Sequence, residues 1–239
     1  MKLGFLLGYS GKHIHIPIDL IKQAESMGYD SVWTAEVTAS LPYASAAYVL
    51  AQTSKIRVGT AIMQMPARTP AMCAMTAMSL DQLSGGRFIV GLGASGPQVV
   101  EGWHGVPYGK PVTRTKEYIQ IMRKIFEREG PVEFDGQMYQ MPNQSEGTTG
   151  LGKPLKSILA AASDIPIYTA SITPAGLRCA GEVADVERAV RVGHSGGHEG
   201  TRGPLDSGQN GFHVGRWAHL IPRLVASGIN GSPRARLGA

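Results

Sequence analysis

The sequence has few cysteines and no long apolar run. Its two cysteines, Cys73 and Cys179, are far apart and fit neither a disulfide framework nor the ligand spacing of a zinc site. No stretch is long enough to cross a bilayer, and the apolar run within the first eleven residues is too short for a signal peptide. The sequence therefore predicts a soluble protein of the reducing cytoplasm, with no metal and no membrane partner.

Lysine is absent from the last 54 residues, which carry most of the net charge of +5. Residues 1–185 contain 16 Lys and Arg against 15 Asp and Glu, whereas residues 186–239 contain seven Arg, three acids and 11 Gly. Such a change is typical of a GC-rich gene read out of frame, so we expect a frameshift near residue 185 or 186 and premature termination. A genuine divergent C-terminus is the alternative. The arginine-rich end lacks interleaved aromatics and any nucleic-acid module, so no nucleic-acid partner is predicted.

Strand-like and helix-like segments alternate from residue 2 to residue 185. The predicted strands are residues 3–8, 30–36, 55–63, 87–93 and 164–171. A hairpin with its turn at Asp135-Gly136, followed by a Gly/Ser/Thr-rich loop, interrupts the pattern before the fifth strand. Five βα units in a row predict an α/β fold with a parallel sheet covered by helices, either a barrel or an open sheet. This region, residues 1–185, is predicted as one domain, and residues 186–239 as a separate tail.

A literal G-x-G-x-x-G motif, Gly91 to Gly96, follows the fourth predicted strand. A dinucleotide-binding fingerprint would lie on the first strand, and its third glycine would begin a helix. Here proline, glycine and aromatic residues follow Gly96, and the next helix is predicted only from about Thr113. We therefore interpret the motif as the C-terminal end of a barrel strand, where loops form an active site. The other strand ends at this rim are Gly8, Glu36, residues 61–65 and residues 170–173.

Three segments of the sequence are GYDSVWTAE, IRVGTAIMQMPARTPAMCAMTAMSLDQLSGGRFIVGLGASGPQVVEGWHG and IPIYTASITPAGLRCAGEVAD. Together they resemble the bacterial-luciferase-like flavin family, and most closely its deazaflavin (F420)-dependent oxidoreductase branch. It covers residues 1–185. The resemblance implies a TIM (β/α)8-type barrel, incomplete here with about five βα units, and a cofactor across the C-terminal ends of the strands. It also implies an F420-dependent oxidoreductase acting on a small organic substrate, assembled as a homodimer.

The resemblance also implies roles for particular residues. Ala61-Ile62 matches a strand bulge with a non-prolyl cis peptide beneath the deazaflavin. Glu36 matches an acidic position near the reactive ring and is the expected catalytic residue, although a salt-bridged carboxylate at a strand end is the alternative. Val37 stands where several alcohol- and sugar-oxidising relatives have a histidine, which favours reduction of the substrate. Gly8 and Gln64 lie at the same rim of strand ends and are included in the expected cofactor site. The expected cofactor-binding residues are Gly8, Ala61, Ile62, Gln64, Ala94, Ser95, Gly96, Ala170, Ser171, Ile172 and Thr173.

Two other functions stay open at this point. An FMN-dependent luciferase-like monooxygenase would bind FMN, which in its oxidised form absorbs at longer wavelength than the deazaflavin. A non-catalytic flavin-binding or defective fragment would bind without turnover or fail to fold, because five strands of an eight-stranded barrel leave two open edges.

Overall fold

The computed structural model describes residues 2–9, 11–36, 38 and 40–185. The atypical tail 186–239 and Val37 lie outside the described residues, so the predictions made for them stay predictions. Within the described part of the chain, no helix is both long and apolar enough to cross a membrane.

Parallel strands alternate with helices along the described chain. The strands are β1 (Gly4–Leu6), β2 (Ser31–Thr34), β3 (Arg57–Thr60), β4 (Met63–Gln64), β5 (Phe88–Gly93), β6 (Phe134–Asp135), β7 (Gln140–Met141) and β8 (Ile167–Ala170). The α-helices are α1 (Ile18–Ser26), α2 (Pro42–Gln52), α3 (Pro70–Ser84), α4 (Pro97–Gly102), α5 (Pro111–Glu127) and α6 (Pro174–Val183). The main sheet runs β1-β2-β3-β5-β8, with β4 beside β5 and every pair parallel. These five strand positions form part of a TIM-type barrel, as predicted.

The core lies between the outer face of the sheet and the helices. Along β5, Phe88, Val90 and Leu92 belong to this core, so Ile89, Gly91 and Gly93 point to the inner face by alternation. α5 presents one apolar stripe to this core, since Tyr118, Ile121, Met122 and Ile125 are all buried. β5 is therefore apolar on both faces, as expected of a strand within a parallel sheet.

Two residues on the inner face stack on one another. The rings of Trp33, on β2, and Tyr168, on β8, are stacked with centroids 5.6 Å apart. Gly59, which pairs with Trp33 across the ladder, leaves the space for the indole, because a Cβ at Gly59 would lie 2.4 Å from its ring. The rings of Trp33 and Tyr168 thus occupy the inner face beside Gly59.

The two ends of α3 are fixed by residues suited to helix caps. Thr69 caps α3 by accepting a hydrogen bond from the backbone N–H of Met72, and Pro70 is its first residue. Gly85 ends the helix in the left-handed conformation, with φ of 65°.

Three local predictions are corrected by the structure. A six-residue helix, α4, begins at Pro97 directly after Gly96, and α5 begins at Pro111, although no helix was predicted before about Thr113. Proline at the first turn starts both helices, so the residue that signals a loop also permits a helix. The predicted strand 55–63 is two strands, β3 and β4, broken at Ala61-Ile62. The predicted hairpin exists, but its loop spans residues 136–139.

Candidate active site

Two cavities, A and B, lie at the C-terminal ends of the strands in the described part of the chain. Cavity A, of about 350 Å³, lies between the ends of β5 and β8 and the first turns of α5 and α6. Cavity B, of about 510 Å³, lies between the loop after β2, the start of α3 and the residues that follow α4. Ile62 lines cavity A, while Gln64 contacts three residues that line cavity B, Glu36, Arg68 and His104. The 61–64 segment, which contains the break between β3 and β4, therefore lies between the two cavities.

Cavity A brings together most of the residues expected to bind the cofactor. Those that line it are Ile62, Ala94, Ser95, Gly96, Ala170, Ser171, Ile172 and Thr173. They come from three strand positions that are far apart in the sequence. Gly8, exposed at the end of β1, and Ala61 and Gln64 are not among the residues that line this cavity.

None of the described residues that line cavity A carries a charge. Its polar groups are hydroxyls and backbone groups. Thr173 caps α6 by accepting a hydrogen bond from the backbone N–H of Gly176, at 3.1 Å. The side chain of Ser171 lies over the same turn, since a Cβ at Gly176 would be 1.8 Å from its Oγ. The positive end of the α6 dipole thus adjoins a cavity edged with hydroxyls, an arrangement suited to an anion.

The 61–64 segment packs directly against the glycines of the G-x-G-x-x-G motif. The Ala61-Ile62 peptide bond is cis, as the resemblance implied. A Cβ at Gly93 would lie 2.6 Å from Cδ1 of Ile62. Thr60 Oγ1 donates to the carbonyl of Gly91 at 2.9 Å and accepts its N–H at 2.8 Å. The first two glycines of the motif are therefore explained by close packing against β3 and the 61–64 segment.

A buried ion pair forms one wall of cavity B. Arg68 donates through Nη2 to Oε1 of Glu36 at 2.7 Å and through Nη1 to Oε2 at 3.0 Å. The backbone N–H of Gln64 donates to Oε2 of Glu36 at 2.8 Å. The side chains of Arg68 and Glu36 are only 7% and 5% exposed. Burial alone would lower the pKa of Arg68, but the hydrogen bonds and charge of Glu36 raise it above its ordinary value.

The residues after α4 extend over both cavities. His104 Nε2 lies 2.7 Å from Oε1 of Gln64, so the two side chains are hydrogen-bonded. Trp103 is 64% exposed beside it at cavity B. Tyr108 lines cavity A and donates through its hydroxyl to the carbonyl of Ser95 at 3.4 Å. The residues that follow α4 thus contribute aromatic side chains to both cavities.

The structure therefore divides the sequence-predicted site in two. Glu36 belongs to cavity B, whereas most of the expected cofactor-binding residues line cavity A. Sequence reasoning missed Arg68, the partner of Glu36. The available signal was an arginine directly before the Thr69-Pro70 helix start, in the loop that follows the predicted third strand. Glu36 and Arg68 are 32 residues apart, so only the folded sheet brings them together.

Comparison with known proteins gives consistent matches over this region. The sequence profile of a family described as "Luciferase-like monooxygenase" matches residues 4–187. The chain is 48% identical over 187 residues to "Putative coenzyme F420-dependent oxidoreductase Rv3520c" of Mycobacterium tuberculosis, covering 77% of this chain and 54% of that protein. It is 33% identical over 165 residues to 5,10-methylenetetrahydromethanopterin reductase of Methanolobus tindarius, covering 69% and 46% of the two chains.

Solved structures share the fold. The coenzyme F420 dependent tetrahydromethanopterin reductase from Methanopyrus kandleri superimposes with a TM-score of 0.63 and 26% sequence identity, over 77% of this chain and 54% of that one. The chain spans about half the length of the curated relatives it matches.

Proposed function

Because the chain belongs to the luciferase-like monooxygenase family, we propose that it is an F420-dependent oxidoreductase that transfers a hydride between the deazaflavin and a small organic substrate. The observation that carries this proposal is the convergence on cavity A of expected cofactor-binding residues from the ends of β5 and β8 and from the 61–64 segment. The relatives from Mycobacterium tuberculosis and Methanolobus tindarius, whose names describe an F420-dependent oxidoreductase and a reductase, support this chemistry.

The residues of cavity A fit an anionic flavin-type cofactor. A phosphate group there would be held by hydroxyls and by the positive end of the α6 dipole, because no described residue that lines the cavity is charged. Gly93 and Gly176 lack the Cβ atoms that would collide with Ile62 and Ser171. Ile62 offers an apolar surface against which a ring can pack. Ser95, Ser171 and Thr173 would hold the polar part of the cofactor.

When bound, the deazaflavin supplies the hydride donor or acceptor. The protein positions the reactants, excludes water and sets the local charge. Glu36 contributes as a fixed carboxylate, since both of its oxygens accept hydrogen bonds from Arg68 and Oε2 also accepts the Gln64 N–H. Trp103 and Tyr108 lie on the loop that would cover the substrate. Reduction of the substrate is the favoured direction, because Val37 stands where relatives that oxidise alcohols have a histidine.

Titration of the purified chain with F420 and with FMN tests this proposal. We expect saturable binding of F420, followed by the change in its fluorescence, and weaker binding of FMN. Preferential binding of FMN would instead favour a monooxygenase, and binding of neither would favour a defective fragment.

A pair of matched variants locates the binding to cavity A. Ala94→Leu adds volume within the cavity, and we expect it to weaken F420 binding by about 10-fold or more, which is the effect of one lost contact of about 1.4 kcal/mol. Ala51→Leu makes the same change on the exposed surface of α2 and should leave the affinity unchanged. Equal affinities for both variants would place the cofactor elsewhere.

The proposal includes a homodimer of the cytoplasm with a small-molecule substrate as its partner. Light scattering after size-exclusion chromatography tests the assembly, and a molar mass of one chain would contradict it.

A further inference from the structure

We propose that Glu36 and Arg68 are a positioning pair, which fixes the backbone of Gln64 and thereby holds the 61–64 segment against cavity A. This inference rests on the proposed function, because it gives the pair a role in binding the same cofactor. It assigns Glu36 a task other than proton transfer and adds Arg68 to the site.

The two charged side chains hold both polar groups of one peptide residue. Glu36 Oε2 accepts the N–H of Gln64 at 2.8 Å, and Arg68 Nη1 donates to the carbonyl of Gln64 at 3.0 Å. The side chain of Gln64 is held in addition by His104. The residue is 2% exposed, so water competes little for these groups.

The pair acts on the last residue of the segment, Gln64, which β4 also pairs with Gly93 of β5. The first residue, Ala61, donates its N–H to the carbonyl of Thr34 at 2.6 Å. The last residue, Gln64, donates its N–H to Glu36, which lies two positions after Thr34 in the sequence. The last residue of β2 and the loop that follows it thus hold both ends of the 61–64 segment. Ile62, between these ends, lines cavity A.

Stability alone does not account for a buried ion pair at this place. Replacing such a pair by apolar side chains of similar volume is often neutral or stabilising, since desolvation offsets the attraction between the charges. Apolar side chains, however, can neither accept the N–H of Gln64 nor donate to its carbonyl. Position is therefore what the charged pair provides and an apolar pair does not.

The pair also leaves the wall of cavity B close to neutral. Both terminal nitrogens of Arg68 are directed to Glu36, and one of them is shared with the carbonyl of Gln64. The guanidinium lies 5.4 Å from the ring centre of Tyr43. Arg68 is therefore surrounded by protein partners, which favours a positioning task over capture of an anionic substrate.

Three variants test the pair. Glu36→Gln keeps an acceptor oxygen and removes the charge, and we expect F420 binding to weaken by about 10-fold, the effect of losing one charge-assisted hydrogen bond. The double variant Glu36→Met with Arg68→Met should unfold at a urea concentration close to that of the unmodified chain while binding F420 equally weakly. Arg68→Lys keeps the charge but has one donor nitrogen instead of two, so it should bind F420 more tightly than the double Met variant and less tightly than the unmodified chain.

A matched control uses the ion pair at the opposite end of the strands. Asp30 pairs with Arg57 where β2 and β3 begin. Asp30→Asn should leave F420 affinity and the fluorescence maximum of the bound deazaflavin unchanged, whereas Glu36→Gln should shift that maximum. If Asp30→Asn weakens binding as much as Glu36→Gln does, or if the double Met variant binds as tightly as the unmodified chain, the proposal is wrong.

Hydrogen exchange separates this inference from the proposed function. In the unliganded chain, we expect the amide of Gln64 to exchange about 10-fold faster in Glu36→Gln than in the unmodified protein, and at the unmodified rate in Asp30→Asn. If the unmodified chain fails to bind F420 but this exchange result holds, the cofactor assignment fails and the positioning of Gln64 stands. An unchanged exchange rate at Gln64 overturns the positioning pair whatever the cofactor.

Discussion

Gly91 lies so close to the carbonyl oxygen of Thr60 that a Cβ atom on Gly91 would be only 1.7 Å from that oxygen. No side-chain rotation can relieve such a contact, because both atoms belong to the backbone or are fixed to it. The first glycine of the G-x-G-x-x-G motif is therefore required by the approach of β3 to β5, independently of any phosphate.

Gly91→Ala is accordingly expected to destabilise the fold by about 3 kcal/mol or more, the upper range for overpacking of a core. Urea denaturation followed by circular dichroism measures the effect. Gly181→Ala is the matched control, because Gly181 lies in α6 with nothing within 4 Å of its added Cβ. There alanine should be neutral or stabilise by about 0.5–1 kcal/mol. Equal midpoints for the two variants would contradict the packing explanation.

Glu25 gives a prediction about acid stability. Its Oε1 accepts the backbone N–H groups of Ser54, Lys55 and Ile56 at 2.6–2.9 Å. Burial raises the pKa of Glu25, but these three hydrogen bonds and the charge of Arg87 outweigh it and lower the pKa below the ordinary value of 4.5. Since the folded state holds the carboxylate form, this stabilisation is complete above pH 4.5 and is lost as the pH falls through the folded pKa.

Glu25→Gln tests that prediction. We expect it to lower the free energy of unfolding by about 1 kcal/mol at pH 7, because the amide keeps an acceptor oxygen and loses only the charge. The difference from the unmodified chain should shrink as the pH is lowered below 4.5. Glu127→Gln, at the exposed end of α5, is the control and should have no such pH-dependent effect. A difference that grows toward low pH would reverse the predicted sign.

Thr173 links the start of α6 to cavity A. Thr173→Ala removes the acceptor for the Gly176 N–H and should cost about 1 kcal/mol of stability, as expected of a lost N-cap. It should also weaken F420 binding, since Thr173 lines the cavity. Thr173→Ser retains the capping oxygen and is expected to preserve both properties. Calorimetric melting and fluorescence titration measure the two effects, and full affinity in the alanine variant would remove Thr173 from the cofactor site.

Cys73 should be chemically inert in the folded protein. Its side chain is fully buried within α3, and burial raises the pKa of its thiol to about 11. At pH 8 only about one thiol in a thousand would be ionised, and the thiolate is the reactive form. We expect iodoacetamide to label Cys73 only in urea, as read by mass spectrometry of the peptides. Rapid labelling of the native chain would show that α3 opens away from the sheet.

The sequence predicts those parts of the fold that local patterns determine. All five strand positions were predicted from apolar runs and from the Pro and Gly residues that lie between the runs. The caps of α3, Thr69 and Gly85, are likewise local, because a side-chain acceptor and a left-handed residue are requirements of the helix ends themselves. Most of the expected cofactor-binding residues meet in cavity A because parallel strands end at the same edge of a sheet.

What the sequence did not predict depends on contacts between distant residues. The partner of Glu36 is one example, because Arg68, which binds both of its oxygens, lies 32 positions away. Asp81 and Glu117 resemble surface acids in the sequence, yet each accepts backbone N–H groups from a remote loop. The break in the predicted strand 55–63 arises where that strand meets glycines of β5. None of these contacts leaves a periodic signal.

The stacking of Trp33 on Tyr168 has a geometric consequence. Their strands, β2 and β8, are separated by β3 and β5, a span of about 14 Å across a flat sheet with ordinary strand spacing. The two rings nevertheless meet at 5.6 Å, because the sheet curls around them and Gly59 leaves room for the indole. The curvature of the barrel wall is thus already present in the five described strand positions. Because Trp33 is stacked on Tyr168 only when the sheet is curved, the emission spectrum of this tryptophan can report on the curvature.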